Sequence, residues 1–120
     1  MTDRDAQLLE VLRIGHETSM RGTGISLREA LSRTRYKELR AGFDPRDLVP
    51  LIKAHRTLTQ EWIAYSEDKR TNGGWYLSDQ GEIGQVAQPE SRKHFDSLPE
   101  AVAEYVVREL DFWASLQDAS

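Results

Sequence analysis

Apolar residues recur along this chain at two spacings, and the change between them lays out its elements. Leu8, Leu9 and Leu12, joined by Val11 or Ile14, fall on one face of a helix predicted over about residues 3–20. Arg21-Gly22-Thr23-Gly24 ends it, because glycine relieves the strain of a left-handed terminus. Leu27, Ala30, Leu31 and Thr34 form a second stripe and predict a helix over 27–40, stopped by Gly42, with Phe43 packing back as a plug. Around Leu48, Leu51 and Ile52 the spacing predicts a short or bent helix, since Pro50 forfeits one backbone bond. Leu58, Trp62 and Tyr65 return to helical spacing.

The period then drops to two. Thr71-Asn72-Gly73-Gly74 breaks any helix, and Trp75-Tyr76-Leu77, the turn Ser78-Asp79-Gln80-Gly81 and residues 83–87 read as a hairpin. Trp75 and Leu77 share one face of it. Gly84 inside the second strand signals a bulge or close contact with a bulky neighbour, and residues 92–95 offer a third strand. Finally Val102, Val106, Leu110 and Trp113, with Tyr105 beside them, predict a long helix over about 98–116. A two-stranded hairpin is marginal alone, so this last stripe is its natural cover. The fold class expected is α+β: N-terminal helices, a small antiparallel hairpin or three-stranded sheet, and a long C-terminal helix packed on it, all in one domain of 120 residues.

Helix starts sharpen this layout. In a capping box a hydroxyl accepts from a free backbone N–H while an acid or amide three residues on reaches back. Ser26-x-x-Glu29, Thr57-x-x-Gln60 and Ser97-x-x-Glu100 fit it, Thr2-x-x-Asp5 more weakly, and Asp44-Pro45 places proline where its missing N–H costs nothing. Residues 61–66 read two ways: Trp, Ile and Tyr favour a strand, whereas the box at Thr57 favours a helix, which is the reading adopted.

Composition narrows the chemistry. There is no cysteine, which removes disulfides, thiolate metal sites and cysteine nucleophiles. The first residues lack the apolar core of a secretory signal, and no run approaches the roughly 20 apolar residues of a membrane span, so a cytoplasmic protein without membrane contact is expected. Charge is unevenly placed: residues 1–60 hold 11 Lys/Arg against 8 Asp/Glu, while residues 61–120 hold 5 against 12. The second half therefore carries −7, enough to steer a basic partner and repel nucleic acid; a solvated surface that keeps the chain soluble is the simpler account of it.

His16, His55 and His94 are widely separated and begin no His-x-x-x-His pair, so neither a metal nor a cofactor is expected. No nucleophile elbow, Walker loop or dinucleotide fingerprint is present, and catalysis is not expected. Arg28, Arg33, Arg35, Lys37 and Arg40 crowd one helix ahead of a hairpin, the order of a winged-helix transcription factor. Against that alternative, the would-be wing lies in the acidic half, where phosphate repulsion is costly.

The run Trp62-x-x-Tyr65-Ser66-Glu67-Asp68-Lys69-Arg70-x-x-x-Gly74-Trp75-Tyr76, followed by a glycine-bearing strand and the segment Ala101-Val102-Ala103-Glu104-Tyr105-Val106-Val107-Arg108-Glu109-Leu110, resembles small bacterial immunity proteins of contact-dependent growth inhibition and polymorphic-toxin systems. The likeness spans about residues 57–116 and is a loose pattern of aromatics and charges. It implies a cytoplasmic antidote that binds a cognate toxin C-terminal domain, often a basic nuclease, and covers its active site or substrate surface, with no direct contact to nucleic acid. Glu67, Asp68, Asp79 and Glu82, placed around the two turns of the hairpin, are the candidate toxin-binding residues; capping turns and solubilising the hairpin is the structural alternative.

Overall fold

Arg35 decides how the N-terminal helices are laid. In the computed structural model, which describes residues 3–18, 25–68, 74–85 and 88–118, it takes φ 55° and ψ 45°, the left-handed region. This splits the predicted second helix into α3 (Leu27–Thr34) and α4 (Tyr36–Arg40). A non-glycine residue there costs roughly 1–2 kcal/mol. The turn offsets that cost by driving Tyr36 into the core, where its hydroxyl donates to Asp111 Oδ1 at 2.6 Å. Arg40 Nε meets both oxygens of the same carboxylate at 3.1 Å, and Phe43 is buried edge-on to Tyr36, the plug expected of it.

The first predicted helix is likewise divided, into α1 (Asp3–Leu12) and α2 (Ile14–Glu17), with Thr18 as the C-cap. The break coincides with an intrusion into the backbone ladder: Trp62 Nε1 donates to the Leu12 carbonyl at 2.7 Å. Thr18 then closes the end, its hydroxyl donating to the Ile14 carbonyl at 2.8 Å. The glycines expected to stop this helix, and the weak cap at Thr2, lie outside the described residues.

Helix α5 (Pro45–Ala54) keeps Pro50 inside it and buries Leu48 and Ile52; at its start the Asp44 N–H donates to the Asp47 carboxylate at 2.8 Å. Ser26 caps α3 as expected, accepting from the Glu29 N–H at 3.1 Å. Residues 61–66 are helical, within α6 (Thr57–Asp68). Thr57 is the first residue of that helix rather than its cap, and the Leu58 N–H is met by the His55 carbonyl at 3.0 Å.

A three-stranded antiparallel sheet follows, in the order β1 (Trp75–Leu77), β2 (Glu82–Gln85), β3 (Gln88–His94). Both readings of Gly84 hold. It pairs with Tyr76, whose hydroxyl oxygen would stand 2.8 Å from a Cβ placed there, and the β2–β3 register shifts between Ile83 and Gln85. Strand β3 starts earlier than the predicted 92–95 and releases Phe95, while residues 86 and 87 lie outside the described set. Leu77 and Ile83 turn into the core and β3 stays almost wholly exposed.

Helix α7 (Leu98–Asp118) is the spine. It packs on α5, α3, α6, β1 and β2, and Val102, Tyr105, Val106 and Leu110 are fully buried, as their spacing predicts. Trp62 joins the two halves, fully buried and edge-on to Tyr65 and Tyr105 at 5.2 and 6.1 Å between ring centroids. The fold is thus α+β, with the long C-terminal helix packed on a three-stranded sheet. Among the described residues no helix is long and apolar enough to cross a membrane.

Candidate functional site

A buried acid organises the region around the candidate carboxylates. Glu109 projects from the middle of α7 and is fully buried. Its Oε1 accepts the backbone N–H of Trp75 at 2.8 Å, and its Oε2 accepts the Tyr65 hydroxyl at 2.9 Å and the Trp113 indole N–H at 3.0 Å. One side chain therefore ties α6, β1 and α7 together. Loss of water raises the pKa of Tyr65, and Glu109 raises it further, so the phenol remains a donor at neutral pH. Burial, then Glu109 and Tyr65, raise Tyr105 in the same way. Among the described residues the buried Tyr105 hydroxyl makes no hydrogen bond of acceptable geometry, although Ser66 stands close enough to influence it.

Ser66 instead serves the sheet: its Oγ accepts the Leu77 N–H at 2.8 Å. This bond sets the C-terminal end of α6 against the far end of β1, where the Ser78–Gly81 turn begins. The Ser78 hydroxyl fills that turn, accepting from Gln80 at 3.3 Å and Glu82 at 3.1 Å. Arg108 lies over the Trp75 ring, 4.9 Å from its centroid, while its Nε pairs with Glu104 at 2.9 Å. The hairpin is thus fixed to the helices by side-chain bonds at both ends of β1.

The four candidate carboxylates meet this frame differently. Glu67 follows Ser66 and is exposed, and Asp79 is exposed in the β1–β2 turn; the Ser66–Leu77 bond brings their two backbone segments to the same end of the hairpin. Glu82 is half-buried and folds back on the sheet, accepting the Tyr76 hydroxyl at 2.8 Å. Burial, and then Glu82, hold the Tyr76 phenol above its ordinary pKa, with Arg92 opposing. Asp68 ends α6, and its side chain lies outside the described residues.

Of the remaining acids on α7, Asp111 is clasped by Tyr36 and Arg40, and Glu104 by Arg108. Glu100 is exposed in the first turn. His16 pairs with Glu61 at 3.1 Å and shares a hollow with Glu17 and His55, but among the described residues no three His, Asp or Glu side chains converge to hold a metal.

Sequence reasoning missed Glu109, yet a signal was present. Tyr105, Glu109 and Trp113 step by four along the apolar stripe of α7, and an acid on that stripe is forced inward. Comparison of the chain with protein-family models, with curated proteins and with solved structures gives no match.

Proposed function

We propose that this chain is an immunity protein that binds and neutralises a cognate toxin domain by occupying its active site or substrate surface. The observation that carries the reading is the exposed pair Glu67 and Asp79, held at one end of a hairpin that Glu109 and Ser66 fix to the helices, in the half of the chain with a charge of −7. A nuclease must hold phosphates, and its basic cleft attracts such a surface. Complementary charge speeds encounter and rejects wrong partners, and a prearranged frame lowers the entropy lost on binding.

Neutralisation then comes from occupancy, without chemistry on the toxin. A toxin gene with a variable C-terminal domain is expected immediately upstream of this chain's gene. Co-expression with that domain should yield a stable complex on size exclusion and restore growth. The alternative is a winged-helix regulator reading DNA through the exposed Arg28, Arg33 and Arg35. Tight, salt-sensitive binding to one duplex, with no complex formed by the toxin domain, would establish it instead.

A further inference from the structure

Prolines inside α5 shape a second surface. Pro45, Val49 and Pro50 of α5, Ala103 of α7 and Phe95 line a groove of about 430 Å³. Pro50 is exposed, and Pro45, Val49 and Phe95 are partly exposed. These walls sit on helices or on a pinned backbone, so they lose little freedom when covered: the Phe95 N–H donates to the Gly81 carbonyl at 2.9 Å. That bond also joins the groove to the β1–β2 turn that carries Asp79.

The polar rim states the chemistry of the occupant. Glu100 and Glu104 stand one turn apart on the α7 side. Glu104 is already held by Arg108, and among the described residues the exposed Glu100 makes no ion pair. The cations nearby are engaged: Arg46 on the lining stands 3.7 Å from Asp44, which offsets its charge, and Lys93, outside the lining, holds its ammonium over the Phe95 ring, 5.0 Å from the centroid. An apolar floor beside an available carboxylate fits an aliphatic or aromatic side chain with a lysine or arginine next to it in sequence.

We propose that this groove is a second, anchoring part of the interface, seating an apolar side chain of the toxin domain while the neighbouring cation closes on Glu100. The identity of the partner rests on the function proposed above; the chemistry of the groove does not. A dipeptide probe separates the two. Acetyl-Leu-Lys-amide, titrated at millimolar concentration into ¹⁵N-labelled protein, should shift the amides of Val49, Phe95, Glu100 and Ala103 along one saturable curve. Acetyl-Leu-Glu-amide should bind at least tenfold more weakly. Two variants complete the test. Pro50→Arg restores a helix N–H while placing a bulky cation on the groove wall, and Glu100→Lys reverses the rim; each should abolish the Leu-Lys response with the melting transition retained. Against the toxin domain encoded upstream, each should raise the Kd at least tenfold. Equal response to both dipeptides, or no response at these four amides, overturns the groove. Toxin binding that both variants leave unchanged overturns it as part of the interface while the immunity function stands. Saturable Leu-Lys binding with no toxin binding at all removes the partner and keeps the groove.

Discussion

Glu109 and Trp75 lie 34 residues apart and meet through one 2.8 Å bond from the Trp75 backbone N–H to a carboxylate that water does not reach. Trp75 opens an edge strand, where an unpaired N–H is ordinarily left to solvent. Here α7 supplies the acceptor, and the hairpin is locked in the act of being covered.

Glu109→Gln tests that lock. The amide keeps one oxygen and turns an NH₂ toward at least one of the Trp75, Tyr65 and Trp113 donors. A buried donor left without an acceptor costs about 1–3 kcal/mol. Urea denaturation should show a loss of that size, and a variant as stable as the parent would show that the carboxylate does not hold the hairpin.

Tyr105 and Tyr65 flank the same acid and should respond in opposite directions. Tyr105→Phe removes a buried hydroxyl that makes no hydrogen bond to the described residues, so stability should be unchanged or higher. Tyr65→Phe removes a bond to Glu109 and should cost about 0.5–1.5 kcal/mol. Denaturation midpoints of the two variants, compared with the parent, decide it.

Gly15 lies against the face of Trp62, where an added Cβ would stand 2.8 Å from the indole Cδ2. Alanine gains about 1 kcal/mol of helix propensity over glycine, whereas overpacking a core costs about 1–3 kcal/mol. The indole is fixed by its bond to Leu12, so the clash should dominate and Gly15→Ala should lower the melting temperature. A higher melting temperature would mean that the indole can shift.

Asp47 carries a pH dependence. The Asp44 N–H, and after it Arg4, hold its carboxyl below the ordinary value of 3.8, against an opposing desolvation. A depressed folded-state pKa gives stability that is present above the unfolded value and lost as pH falls through the folded one. Asp47→Asn should therefore be less stable than the parent at pH 7, with a narrower gap at pH 3, below the ordinary value of 3.8, where the unfolded parent chain binds its proton more readily than the folded one. Denaturation midpoints at the two pH values measure this; a gap independent of pH would assign the effect to geometry alone.

Much of this fold was legible because its signals are local. The stripe on α7 and the cap at Ser26 each act within a few residues, and each held, while the breaker expected at 71–74 falls mostly outside the described residues. The breaks at Arg13 and Arg35 were not legible, because their causes are distant: the indole of Trp62 on Leu12, and Asp111 waiting for Tyr36 and Arg40. The same division applies to the site. Turn acids could be named from the chain, but the withdrawal of Glu82 onto Tyr76 depends on a ring folded over Gly84, and the groove depends on α5 meeting α7.

The central claim is neutralisation by occupancy. The most direct measurement is a titration of the upstream-encoded toxin domain with this protein, following toxin activity at concentrations well above the Kd. Activity should fall linearly to zero at one molecule of this protein per toxin domain, and both chains should be recovered chemically intact from the complex. Inactivation by substoichiometric amounts, or full toxin activity in the presence of excess protein, would contradict it.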